Sequence, residues 1–284
     1  MERCYRLVIA CPDGVGIVSK VATFLATYNG WITEASHHAD AANGWFYMRN
    51  EIRASSLPFD IEAFSMAFEP IAKEFKMRWH IADSAKPKKI ILMASKESHC
   101  LADLLYRSHT GELEGKIVAV ISNHNDLKEM VDWHKIPFHH ITVDPEKKST
   151  AFNEIESLFE SYEVDVVVLA RYMQILPSAL CARFAGRIIN IHHSFLPSFA
   201  GAKPYHQAYQ RGVKLIGASC HYVTEDLDEG PIIEQDVRRI NHSDTIEDMI
   251  RLGRDVERQV LARGLFYHLQ DRIIIHENKT IVFE

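Results

Sequence analysis

The feature that most constrains the fold is VDVVVLA, residues 164–170, which is apolar at nearly every position. Successive strand side chains point to opposite faces, so a strand with one wet face alternates apolar and polar residues. A run this uniform suits a strand buried on both faces, as in a parallel sheet covered by helices. Strand-like runs at 90–94, 117–122 and 138–143 precede it, separated by amphipathic stretches such as 100–107 and 150–162. That alternation marks an α/β domain with a Rossmann-like, mostly parallel sheet. Further strands are expected at 187–191, 215–224 and 231–239, the last turning back along its predecessor. A short helix at 205–211, a long one at 245–269 and a hairpin turning at Glu277, Asn278 and Lys279 complete the chain.

The first 83 residues follow a different rhythm. A strand at 3–10 ends in CPDGVG, an amphipathic helix covers 17–28, and Asn29-Gly30 closes it. Strands at 31–39 and 45–53 meet at the turn Ala42-Asn43-Gly44. A helix at 59–75 carries Ile61, Phe64, Phe68, Ile71 and Phe75 near helical spacing, and a strand at 77–82 ends the unit. The order is βαββαβ. SAKPKK, residues 84–89, is polar and basic and reads as a linker. The expected organisation is an N-terminal domain at 1–83, a linker at 84–89 and the sheet domain at 90–284.

Bulk properties exclude several classes. A formal net charge of −6 argues against a general nucleic-acid binder. No apolar run approaches the roughly 20 residues that span a bilayer, and the N-terminus lacks the pattern of a signal peptide. Five scattered cysteines without CxxC spacing suit a reduced cytoplasm. Sixteen histidines invite a metal, yet the pairs His37-His38, His139-His140 and His192-His193 would place neighbours on opposite strand faces. No HExxH motif or Cys/His cluster occurs, so no metal is expected.

Three polar clusters follow strands of the second domain: ARYMQILP, NIHHSFLP and HYVTEDLDEGPII. Ligands of open α/β sheets sit beyond the carboxyl ends of strands. Asn190 and His192 are two apart and share a strand face. An amide beside an imidazole suits a carbonyl oxygen becoming an oxyanion; read alone, the pair more often marks an ordinary strand end with capping polar groups.

NIHxSxLP followed by HxVTxxxDxGPII resembles the folate-dependent formyltransferase family, which includes glycinamide ribonucleotide transformylase and methionyl-tRNA formyltransferase. The resemblance runs from Lys88 to the C-terminus. It implies a catalytic trio of Asn190, His192 and Asp228, with Asp228 orienting His192, raising its pKa or relaying a proton through water. It also implies that Met173, Gln174, Ile175 and Leu176 line the folate pocket, although core packing under a strand end explains such residues as well. Gln174 departs from the arginine of glycinamide ribonucleotide transformylase. Lys203, Tyr205 and His206 are expected to shape the pocket beside the catalytic loop, or to form a solvated helix start. The βαββαβ order with its DGVG turn resembles the ACT regulatory domain. That implies side-by-side pairing into a homo-oligomer and an amino-acid ligand near Asp13, Gly14 and Gly16, where a turn that simply needs glycine serves equally.

The main departure is at the first strand of the second domain. Where glycinamide ribonucleotide transformylase has a glycine-rich phosphate cradle, this chain has Lys96, Glu97, Ser98 and His99. Without a seat for a phosphorylated amine, water becomes the nucleophile. An ACT-like domain ahead of NIHHSFLPSFAGAKPYHQA is similar to the branch of the family that hydrolyses 10-formyltetrahydrofolate. That implies release of formate and tetrahydrofolate, supply of formate for purine synthesis, and balance of the one-carbon pool, with glycine or methionine as effector. Folate is then the substrate and no cofactor is implied. The rival readings are transfer to an unidentified amine and a non-catalytic folate or amino-acid sensor.

Overall fold

In the computed structural model, which describes residues 2–197 and 204–284, strand β1 (Cys4–Pro12) is buried along eight of its nine residues. Its two faces have different covers. Leu7 and Ile9 belong to one cluster with Phe24, Phe64 and Phe68, contributed by α1 (Ile17–Thr27) and α2 (Ile61–Glu74). Val8 and Ala10 belong to another, with Tyr47, Ile274 and Phe283. With β2 (Ile32–Asp40), β3 (Trp45–Arg53) and β4 (Arg78–Asp83), β1 forms an antiparallel sheet in the order β2-β3-β1-β4. The ACT-like βαββαβ order is present. Asp60 caps α2, its Oδ1 accepting from the Ala63 amide at 3.0 Å.

The second unit is a seven-stranded sheet in the order β11-β10-β9-β8-β5-β6-β7. Its elements run β5 (Lys88–Ala94), α3 (His99–Thr110), β6 (Gly115–Ser122), α4 (Lys128–Trp133), β7 (Phe138–His140), α5 (Lys148–Ser161) and β8 (Val166–Leu169). They continue with α6 (Ser178–Arg183), β9 (Ile188–His192), α7 (Pro204–Arg211), β10 (Leu215–Tyr222), β11 (Ile232–Arg239) and α8 (Ile246–Leu269). Strands β5 to β9 are mutually parallel. The last two reverse direction in turn, β10 against β9 and β11 against β10. All four residues of β8 are buried, as the uniform valine run requires. The strand order turns at β5, with β6 on one side and β8 on the other, the topological switch where such sheets bind ligands.

Strands β12 (Ile273–His276) and β13 (Lys279–Val282) pair as a terminal hairpin. Met1–Pro87, Gln270–His276 and Ile281–Glu284 make one unit, and Lys88–Leu269 with Glu277–Thr280 the other. This differs from the expectation that all of 270–284 would join the sheet domain. Ile274 and Phe283 are buried in one cluster with Val8, Ala10 and Tyr47, so the C-terminal hairpin helps cover that face of the first sheet. Fully buried Arg49 also donates to the Gln270 carbonyl at 3.1 Å, beside ion pairs of 3.1 Å to Glu34 and to Glu51. The expected linker shortens to residues 84–87, because Lys88 and Lys89 already belong to β5.

Candidate active site

Side chains of β9 alternate, with Ile189 and Ile191 buried and Asn190 and His192 partly exposed on the other face. The antiparallel register sets His221 opposite Asn190 and Ser219 opposite His192. Ser219 pins the chain that leaves β9: its Oγ accepts from the Leu196 amide at 2.9 Å and donates to the Ser194 carbonyl at 3.1 Å. Gln235 on β11 donates to the same Oγ at 2.8 Å and to the Leu196 carbonyl at 3.0 Å. The loop behind His192 is thus braced from two strands.

Asp228 reaches this face by an indirect route. Because β10 runs antiparallel to β9, its carboxyl end at Tyr222 lies opposite Ile189 rather than beyond His192. The residues between β10 and β11 therefore fold back toward β9. A bulge at Cys220/His221 breaks the β10–β11 register there. The Tyr222 amide donates to the Pro231 carbonyl at 2.9 Å, and a Cβ on Gly230 would sit 1.8 Å from the Tyr222 oxygen. Only glycine fits. Asp228 itself adopts a left-handed φ of 58°, uncommon for a residue with a side chain.

The carboxylate then meets three side chains. Asp228 Oδ2 lies 3.2 Å from His192 Nδ1, and Oδ1 lies 3.5 Å from both Asn190 Nδ2 and His221 Nε2. The hydrogen bond from His192 chiefly holds the Asp228 carboxyl well below the usual carboxylate range, against the effect of burial. His221 Nδ1 is 2.9 Å from the Tyr222 carbonyl oxygen. A carbonyl only accepts, so neutral His221 carries its proton on Nδ1, and Nε2 accepts from Asn190 Nδ2 at 3.1 Å. One Asn190 N–H is thereby fixed, and the other has only the long contact to Asp228. His192, with Nδ1 committed to Asp228, has Nε2 left for the cavity it lines.

That cavity measures about 810 Å³, within the usual range for small-molecule sites. It brings together Asn190, His192, His221 and Asp228 with Met173, Gln174, Ile175 and Leu176. Met173 and Ile175 are exposed large apolar side chains, whereas Leu176 is buried in the core beneath. The Met173 amide donates to Ser95 Oγ at 2.9 Å, which donates to Asn123 Oδ1 at 2.7 Å, so this wall is tied to the end of β5. His221 is the residue the sequence reading overlooked. It stood in plain view as the first letter of HxVTxxxDxGPII, but only the strand register shows that it faces Asn190.

Other expected residues lie elsewhere. His206 is exposed on α7 and does not line the cavity, and Tyr205 turns to Glu257. Lys203 lies outside the described residues. In the N-terminal unit, Asp13 Oδ1 accepts from the Gly14 amide at 2.9 Å, and Gly16 has φ of 95°, which suits glycine. These three form an exposed turn.

A second polar cluster centres on Glu257 of α8, which is 1% exposed. Its Oε2 lies 2.8 Å from His99 Nε2 and 3.5 Å from Arg171 Nε, and its Oε1 accepts from the Tyr205 hydroxyl at 2.9 Å. Burial pushes the Glu257 carboxyl up, but His99, Arg171 and Tyr205 outweigh it and hold the group below its usual range. Gly253, one turn earlier, leaves the space that the Tyr205 ring occupies. His99, Cys100 and Glu257 are close enough to share a cation. The donors do not suit one, since both Glu257 oxygens are engaged, an arginine adjoins them, and burial keeps the Cys100 thiol protonated.

Comparison with known proteins places this geometry in a family. The formyl transferase family profile matches residues 88–265. A crystal structure of a formyltetrahydrofolate deformylase from Pseudomonas syringae pv. tomato is 65% identical with a TM-score of 0.98, over 100% of this chain and 95% of that one. The formyltetrahydrofolate deformylase of Bacillus subtilis is 46% identical over 98% of this chain and 93% of its own length. A glycinamide ribonucleotide transformylase structure from Symbiobacterium toebii is 28% identical with a TM-score of 0.65, over 70% of this chain and 95% of that one. Transformylase likeness stops at part of the chain, whereas deformylase likeness spans both units. This chain belongs to the formyl transferase family and, within it, to the formyltetrahydrofolate deformylases.

Proposed function

We propose that the cavity binds 10-formyltetrahydrofolate and that water attacks its formyl carbon, giving formate and tetrahydrofolate. The observation that carries this reading is the meeting of Asn190, His192 and Asp228 within 3.5 Å at the wall of one cavity. As water adds, the formyl oxygen becomes an oxyanion. The second N–H of Asn190 and, when protonated, Nε2–H of His192 are the donors for it. Asp228 orients His192 through Nδ1. Collapse of the tetrahedral intermediate breaks the C–N bond, and the folate nitrogen takes a proton as it leaves.

Met173 and Ile175 offer apolar walls for a flat heterocycle, and the Gln174 amide offers both a donor and an acceptor for its polar edges. The turn after β5 supports water as the nucleophile. Glu97 there pairs with Arg254 at 2.7 Å and His99 with buried Glu257, so the basic groups nearest that turn are already engaged by carboxylates rather than free for a phosphorylated acceptor. The test is formate release from 10-formyltetrahydrofolate by the purified protein with no amine present. Steady release supports hydrolysis; release only after an amine is added would favour transfer.

The product formate is a feedstock for purine synthesis, and its release balances the one-carbon pool. The exposed Asp13–Gly14–Gly16 turn suits an amino-acid effector such as glycine or methionine, which titration with rate measurement would reveal. No helix of the described residues is long and apolar enough to cross a membrane, in keeping with a cytoplasmic enzyme. Pairing of the ACT-like unit into a homo-oligomer completes this reading.

A further inference from the structure

We infer that His193 is the base that removes a proton from the attacking water. The inference rests on the hydrolytic reading above and concerns a residue outside the trio. Neighbouring residues on a strand face opposite ways, but β9 ends at His192, and His193 is free of that alternation. Both rings line the same cavity, with centroids 5.1 Å apart. Among the described residues, neither His193 ring nitrogen has a hydrogen-bond partner.

Hydrolysis needs a group that transfer to an amine does not. A neutral amine attacks before it loses its proton, whereas water must shed one as it adds. The trio is ill placed to accept it. Asn190 is a donor, its amide fixed by His221 at 3.1 Å. His192 donates to the oxyanion in its charged form and then has no lone pair to offer. Asp228 is engaged with His192 through Oδ2 and turned toward Asn190 and His221 through Oδ1. Glu225, Asp226 and Glu229 also border the cavity but are exposed, as solvated carboxylates at its rim. His193 remains, partly buried beside His192.

Its surroundings keep the imidazole neutral. Burial, together with the charges of Arg171 and His192, lowers His193 from its ordinary value to about 4, against the opposing pull of Glu257 and Asp228. The step then balances. Water oxygen bonds to the formyl carbon, one water proton passes to His193, and the C=O π pair moves onto the oxygen held by Asn190 and His192. The pair returns as the C–N bond breaks, the folate nitrogen takes a proton from His192 or from solvent, and formic acid ionises to formate.

The experiment compares wild type with His193→Asn and His193→Ala, measuring formate release across pH, with tetrahydrofolate binding as the control for an intact fold. The expected result is a fall in kcat of at least about 100-fold for both variants, with KM and tetrahydrofolate binding within about threefold. Added imidazole should restore part of the turnover of His193→Ala. Wild-type kcat/KM should fall as pH drops through about 4, because the acting form is unprotonated, and this limb should vanish in His193→Asn. Turnover within about threefold of wild type in either variant, or a loss confined to KM, overturns the inference while leaving the hydrolytic reading intact. A wild-type protein that releases no formate would overturn the reading itself.

Discussion

Asn190 and His221 face each other across the β9–β10 ladder, with Nδ2 of the amide 3.1 Å from Nε2 of the imidazole. The contact fixes the plane of the amide that we propose as an oxyanion donor. An oxyanion donor works because it is aimed before the charge develops, at no cost of reorganisation. His221, itself 2% exposed and tied to the Tyr222 carbonyl, supplies that aim.

Replacing His221 with phenylalanine keeps a ring of similar size and removes the acceptor. We expect kcat to fall by roughly 10- to 100-fold, since small misplacements of reacting groups carry penalties of that order. KM should change little. Steady-state formate release separates the two parameters.

Asn190→Ala should cost more than its positioning partner. Losing one oxyanion donor removes about 2.7–4 kcal/mol of transition-state stabilisation. The loss should appear in kcat rather than in tetrahydrofolate affinity, because the bond strengthens only as charge develops. Equal affinity loss with unchanged turnover would contradict the assignment.

Asp228 makes a prediction about pH. Its folded-state carboxyl is held below the ordinary value of about 3.9, so it binds protons less readily when folded than when unfolded. The stability it contributes is fully present above that value and is lost as pH falls below it. The stability gap between wild type and Asp228→Asn should therefore hold from about pH 7 to pH 5 and shrink toward pH 2 to 3. Urea denaturation across that window measures it.

Glu257→Ala would strand the Arg171 guanidinium and His99 in a buried setting. Breaking a buried ion pair by removing one partner costs about 3–5 kcal/mol. Glu257→Gln, which can still accept from Tyr205, should cost less. Chemical denaturation of both variants gives the comparison, and near-equal losses would mean that charge is unimportant there.

Gly230→Ala should be among the most damaging single-methyl changes in the second unit. The added Cβ would lie 1.8 Å from the Tyr222 carbonyl oxygen, so backbone must move. A loss above about 3 kcal/mol is expected, together with loss of turnover as the Asp228 loop shifts. A soluble, fully active variant would show that the loop tolerates another path.

Much of this protein was legible in its sequence. The valine run at 164–170 fixes a strand buried on both faces, and alternation puts Asn190 and His192 on one side of β9, since both follow from where successive side chains point. The two-unit order and the motif pair NIHxSxLP and HxVTxxxDxGPII likewise belong to the chain itself. Tertiary structure decided what depends on partners distant in sequence. Strand direction and register brought His221 to Asn190, and the reversed β10 obliged the following loop to fold back so that Asp228 meets His192. Burial of Ile274 and Phe283 against Val8 and Tyr47 assigned the C-terminal stretch to the first unit. The end of β9 at His192 released His193 from strand alternation and let it line the same cavity. Periodicity is a local property and can be read from neighbours, whereas register, reversal and shared burial are settled only when separate segments compete for the same surface.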